Sequence, residues 1–149
     1  MNKLLKRCLM WMLVLFAAAT VGLLVLRAQA LPDGVRPVVW DKEACAECGM
    51  AVSDPRFAVQ LQTRDGQVVN FDDPGCLFIY IIRFDPPVHA VYFHALDGVN
   101  WLNGEQVGFV ATSLSPMGYN LAAVPRGTPG ALTFAEALEK MRQHERRGE

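Results

Sequence analysis

An apolar run from Cys8 to Leu26 takes the N-terminal end of this chain out of any globular core. Its nineteen residues (8–26), at about 1.5 Å per helical residue, reach roughly 28 Å, the thickness of a bilayer's hydrocarbon. Lys3, Lys6 and Arg7 precede the run, and a positive flank on that side keeps it in the cytoplasm and sends the rest across. Ala28-Gln29-Ala30 then offers a small-x-small cleavage pattern. Residues 1–30 therefore read as a signal peptide or a membrane anchor through residues 8–26, and the length of the run favours the anchor. Either fate places the remainder in the periplasm or another extracytoplasmic space, anchored to the inner membrane if the segment is kept. Cys8 comes before the apolar run, not after it, so it is not placed for lipidation.

Residues 31–149 are enough for one small domain with a modest core. They carry all 15 acidic residues against 10 of the 14 basic ones, a net charge of −5. That balance, without a basic stripe, excludes nucleic acid as a partner. Residues 31–37, with Pro32, Gly34 and Pro37, read as a linker, and 38–145 as the domain. After Cys8 three cysteines remain, Cys45, Cys48 and Cys76. An odd number in an oxidising space leaves one thiol free unless it binds metal or pairs between chains.

Local signals then set the elements in order. Val38-Val39-Trp40 reads as a short strand. Phe57–Thr63 and Val68–Phe71 flank Asp65-Gly66, a strong hairpin signal. Asp72-Asp73-Pro74 opens a helix, an acidic cap followed by proline in the first turn. That helix is apolar nearly all round and must stop by Asp85, ahead of Pro86-Pro87. A strand around Val91–Phe93, a loop holding Trp101, strands at 106–112 and 121–124, and a loop with Pro116-Met117-Gly118 follow. Thr133-x-x-Glu136 is a capping box for a last helix with Ala137, Leu138 and Met141 as its buried stripe. Residues 143–149 read as a frayed, charged tail. Without regular βαβ spacing, this order predicts an α+β fold with small antiparallel sheets.

The chemistry concentrates in Cys45-Ala46-Glu47-Cys48-Gly49-Met50. Two thiols and a thioether within six residues form a soft donor set, suited to Cu(I), zinc or iron–sulfur clusters. Gly49 can take φ > 0 and fold the backbone so that Cys48 and Met50 serve one ion. Four readings compete. Cu(I) needs two or three soft ligands and accepts thioethers, which makes Met50, and Met117 in its loop, the discriminating residues. A structural zinc knuckle would need four ligands, and Cys45, Cys48, Cys76 and His94 could supply them. Against that, Cys76 in the first turn of an apolar helix reads as a small buried hydrophobe. His94 at a strand end reads as a hydrogen-bonded edge residue. A thiol oxidoreductase would want CxxC between a strand and a helix, whereas a hairpin follows here. The last reading is a plain Cys45–Cys48 disulfide. Asp72-Asp73 shows no arrangement beyond helix capping, and no phosphate loop, nucleophile elbow or His-x-x-x-His pair points to an enzyme.

Cys45-x-x-Cys48-Gly49-Met50, Phe57-Ala58-Val59-Gln60, Phe71-Asp72-Asp73-Pro74-Gly75-Cys76, Trp101 and Pro116-Met117-Gly118 together resemble the NosL family, the nitrous-oxide reductase accessory lipoproteins. The likeness runs in order through residues 38–140. It implies a periplasmic copper chaperone, not an enzyme, that binds one Cu(I) and delivers it to nitrous-oxide reductase or another copper protein. It also implies two ββαβ-like units side by side. The family's ligands carry over to Cys48 and Met50. Cys45 is then a third ligand or a redox partner, and Met117 and His94 are candidates by position and softness. The chain departs from the family in having no lipobox.

Overall fold

The computed structural model describes residues 3–28, 31 and 33–148, without the side chains of 3–5 and 28. Gln29 and Ala30 of the small-x-small pattern, Pro32 of the linker and Glu149 of the tail lie outside the described residues. The chain divides into two compact units, Met1–Leu31 and Pro32–Glu149. The first unit is one helix, α1 (Lys3–Ala28), whose stretch Lys6–Arg27 has a mean hydropathy of 2.5. By length and composition it can cross a membrane, a test that a signal sequence also passes.

The second unit is α+β, with two small antiparallel sheets and two helices. Strands β1 (Val59–Thr63) and β2 (Val68–Phe71) form the hairpin around Asp65-Gly66, where Gly66 takes φ 86°. With β3 (Val88–His94) and β4 (Trp101–Asn103) they make one sheet in the order β2-β1-β3-β4. Strands β5 (Val107–Ala111) and β6 (Leu121–Pro125) make the other. Helix α2 (Pro74–Phe84) follows β2, and α3 (Phe134–Arg147) closes the chain. The first sheet with α2 follows a ββαβ path and adds β4. The second group is smaller: β5, β6, a single bridge from Phe109 to Leu132, and α3.

β1 is one of the two inner strands of its sheet and is buried on both faces. Successive side chains alternate across a strand. Val59 and Leu61 join the apolar core, while Gln60 and Gln62, also fully buried, face the other way. The segment leading in from residue 34 covers these glutamines. Gln60 exchanges hydrogen bonds with both backbone groups of Arg36 (2.8 and 3.0 Å), and Gln62 donates to the Gly34 carbonyl (2.8 Å). Buried amides need such partners. The core gathers around Phe78 of α2, whose ring lies 6.2, 5.2 and 5.1 Å from those of Phe93 (β3), Phe109 (β5) and Phe134 (α3).

Three local expectations are corrected. Val38–Trp40 is not a strand. The Val39 carbonyl accepts the Lys42 and Glu43 N–H groups (3.2 and 3.1 Å) and Asp41 turns left-handed at φ 60°, so the segment coils instead of pairing. Trp101 lies in a strand, β4, because Ala95 N–H bonds the Asn100 carbonyl (2.7 Å) and closes a hairpin over Asp97-Gly98. Residues 143–147 continue α3 instead of fraying. Glu139 accepts from Arg142 and Arg146 (3.0 Å each), and Gly148 ends the helix at φ 70°.

The capping box of α3 forms as expected. Thr133 Oγ1 accepts the Glu136 N–H (3.3 Å) and Glu136 Oε2 accepts the Thr133 N–H (2.8 Å). Thr133→Ala is expected to cost about 1 kcal/mol of stability in urea unfolding, and Thr133→Ser to retain it. An unchanged midpoint for Thr133→Ala would show that the box contributes nothing.

Candidate metal centre

The sulfur stretch folds as a tight reversal. Ala44 and Ala51 pair across its base as an isolated antiparallel bridge. Cys45 N–H donates to the Met50 carbonyl (2.7 Å) and Gly49 N–H to the Cys45 carbonyl (2.9 Å). Gly49 sits at φ 77°, a conformation that costs glycine little and other residues more. Ala46 N–H bonds the Asn70 carbonyl (3.0 Å), which lays the loop against β2. The reversal sorts the three sulfurs by depth. Cys45 is buried, Cys48 is half-buried, and Met50 is 51% exposed.

A second segment meets the loop where β2 passes into α2. Asp73 is the helix cap: its Oδ1 accepts the Gly75 N–H (2.7 Å) and its Oδ2 the Met117 N–H (3.1 Å). Burial pushes the Asp73 carboxyl above the ordinary aspartate range. Asp72 does different work. It is 2% exposed, its Oδ1 accepts from the Cys48 thiol (3.4 Å), and its Oδ2 has no hydrogen-bond partner. Cys76, in the first turn of α2, is fully buried. The sulfurs of Cys45, Cys48 and Cys76 and a carboxylate oxygen of Asp72 all lie within 4.8 Å of one another. This group can hold a metal ion. All three cysteines are free thiols.

The thiols are electrostatically unequal. Cys76 donates to the Cys45 sulfur, which brings Cys45 down to about 7 despite its burial. The same hydrogen bond, with burial behind it, pushes Cys76 up. Burial raises Cys48 to about 11, although the Met50 N–H aimed at its sulfur favours the thiolate. A metal needs thiolates, so an incoming ion must displace protons here. Cys45 surrenders its proton most readily.

Of the residues singled out from the sequence, Cys45 and Cys48 come together, and Met50 is half-exposed. Met117 is half-buried against the core and tied through its backbone to Asp73. His94 lies elsewhere, buried between Trp40 and Trp101 with ring centroids at 6.3 and 4.8 Å, and does not belong to the four-donor group. The sequence reading set Cys76 aside as a hydrophobe and Asp72 as a cap, yet both belong to that group. The available signal was a surplus: one carboxylate caps a helix, and this chain has two in succession.

No family model and no curated protein matches the sequence. In structure the chain is similar to the copper chaperone NosL from Shewanella denitrificans, with a TM-score of 0.52 and 20% identity, over 76% of this chain and 89% of that one. This chain has a NosL-like fold. On that NosL-like scaffold the sulfur loop and the start of α2 together present the donor group.

Proposed function

We propose that this chain is a copper carrier rather than an enzyme. It binds one Cu(I) through Cys45, Cys48 and Met50 and passes it to a copper enzyme, nitrous-oxide reductase or another copper protein. The apolar helix α1 is the signal or the inner-membrane anchor, which puts the carrier in the periplasm. The observation that supports this reading is the 45–50 reversal on a NosL-like fold, which brings the Cys45 and Cys48 thiols together and leaves the Met50 side chain, two residues on, half-exposed. Soft sulfur donors select Cu(I), and thioethers contribute little to zinc sites. Low coordination at the Met50 side leaves room for an acceptor's ligand to join before a donor leaves, so transfer proceeds by ligand exchange.

The test is an anaerobic Cu(I) titration against a chromophoric chelator, with the full chain in detergent and Cys8 replaced by serine. One equivalent is expected to bind. Cys48→Ser should cost more than the roughly 10–100-fold that losing an outer-shell contact costs, and Met50→Leu about tenfold. Absence of Cu(I) binding, or binding indifferent to both substitutions, overturns the reading.

A further inference from the structure

We propose that Cys76 and Asp72 complete, with Cys45 and Cys48, an enclosed four-donor site for one borderline divalent cation of the zinc class. The site goes beyond the copper reading, although it shares two of its cysteines. Its first support is the Asp72 carboxylate. An almost fully buried carboxylate with one oxygen unpartnered is costly unless a cation or donor faces it. Its neighbours are three thiols, two of them buried. A cysteine that merely packs in the first turn of α2 would need no carboxylate beside it.

The second support is spacing. A tetrahedral ion with metal–sulfur bonds near 2.3 Å and metal–oxygen bonds near 2.1 Å has donor–donor edges of roughly 3.5–3.8 Å. The Cys48 sulfur and Asp72 Oδ1 are 3.4 Å apart, and no pair in the group exceeds 4.8 Å. Small side-chain rotations close the set around one ion. The third is donor chemistry. Three thiolates and a carboxylate suit a 2+ ion better than Cu(I), which makes little use of hard oxygen. Met50 lies outside this set. Both ions need Cys45 and Cys48, so each excludes the other.

The test uses Co²⁺ as the spectroscopic probe and Zn²⁺ as competitor, anaerobically, on the full chain in detergent with Cys8→Ser. One equivalent of Co²⁺ is expected, with tetrahedral ligand-field bands and thiolate charge transfer, displaced by Zn²⁺. Cys76→Ser should remove about one third of the charge-transfer absorbance per bound ion, one thiolate of three. Asp72→Asn should weaken binding more than tenfold while keeping that absorbance, and Met50→Leu should change neither. Absorbance per bound ion does not depend on how much of a variant folds, so a damaged Cys76 variant still reports. The proposal falls if Cys76→Ser leaves that absorbance intact, if Asp72→Asn binds as the parent does, or if Co²⁺ shows no charge transfer. The Cu(I) titration stands apart, since only it responds to Met50→Leu.

Discussion

Phe78→Ala is expected to lose about 3–5 kcal/mol of folding stability, the usual cost of emptying an aromatic site in a core. The ring is fully buried and packs against Phe93 of β3, Phe109 of β5 and Phe134 of α3, which also touch one another. Its edge-on packing against Phe109 and Phe134 adds to the area it buries. Neither small sheet is self-sufficient, so a void at Phe78 loosens the joint between them. Domains of this size have total stabilities of about 5–15 kcal/mol, so the loss is a large share of the whole. Chemical denaturation followed by tryptophan fluorescence measures it. A shift below about 1 kcal/mol, the scale of an ordinary surface change, would mean the four rings do not form the joint.

Gly75→Ala is expected to cost about 1–3 kcal/mol or more, as overpacking does. A methyl at Gly75 would stand 2.2 to 2.4 Å from Cγ, Cδ2 and Cβ of Tyr119. These are the near atoms of the side chain, so turning the ring does not clear them. Tyr119 also rests edge-on against His144 of α3 (5.5 Å between centroids), and burial lifts its phenol to about 12. The loop from 113 to 120 must therefore lift off the start of α2 and give up the Met117 bond to Asp73. Cys76 is the next residue, so on the four-donor proposal Co²⁺ affinity should fall together with stability. Tyr119→Ala in the same background should restore part of the stability. If the double variant gains nothing, the overlap is not the cause.

The sequence made legible much of what short-range chemistry decides. Asp65-Gly66 announces its hairpin, Asp73-Pro74 its helix start and Thr133-x-x-Glu136 its capping box, because each mechanism spans four residues or fewer. The cluster was only half legible. Cys45 and Cys48 share one turn, but Asp72 meets Cys48 from 24 residues away, and only the packing of β2 and α2 creates that meeting. Cys76 looked apolar because its helix is apolar, and its neighbours across the fold left no trace in the local pattern. His94 attracted attention by chemistry alone, whereas two tryptophans distant in sequence decide its surroundings. Val38–Trp40 has strand-forming side chains, but turn hydrogen bonds to a single carbonyl prevail over that propensity.

Arg83, in the last turn of α2, grips Glu47 inside the sulfur loop (2.5 Å) and, through two of its nitrogens, Glu145 of α3 (2.7 and 2.9 Å). The Ala44–Ala51 bridge fastens the base of the same loop, and Glu47 is nearly enclosed. The loop is thus a fixed berth and not a hinged jaw. Lifting it would break the bridge and strand a carboxylate away from its guanidinium. On the proposed carrier reading, an ion held here would leave over the rim, past Met50, and a receiving protein would have to come alongside that rim with its own ligand extended.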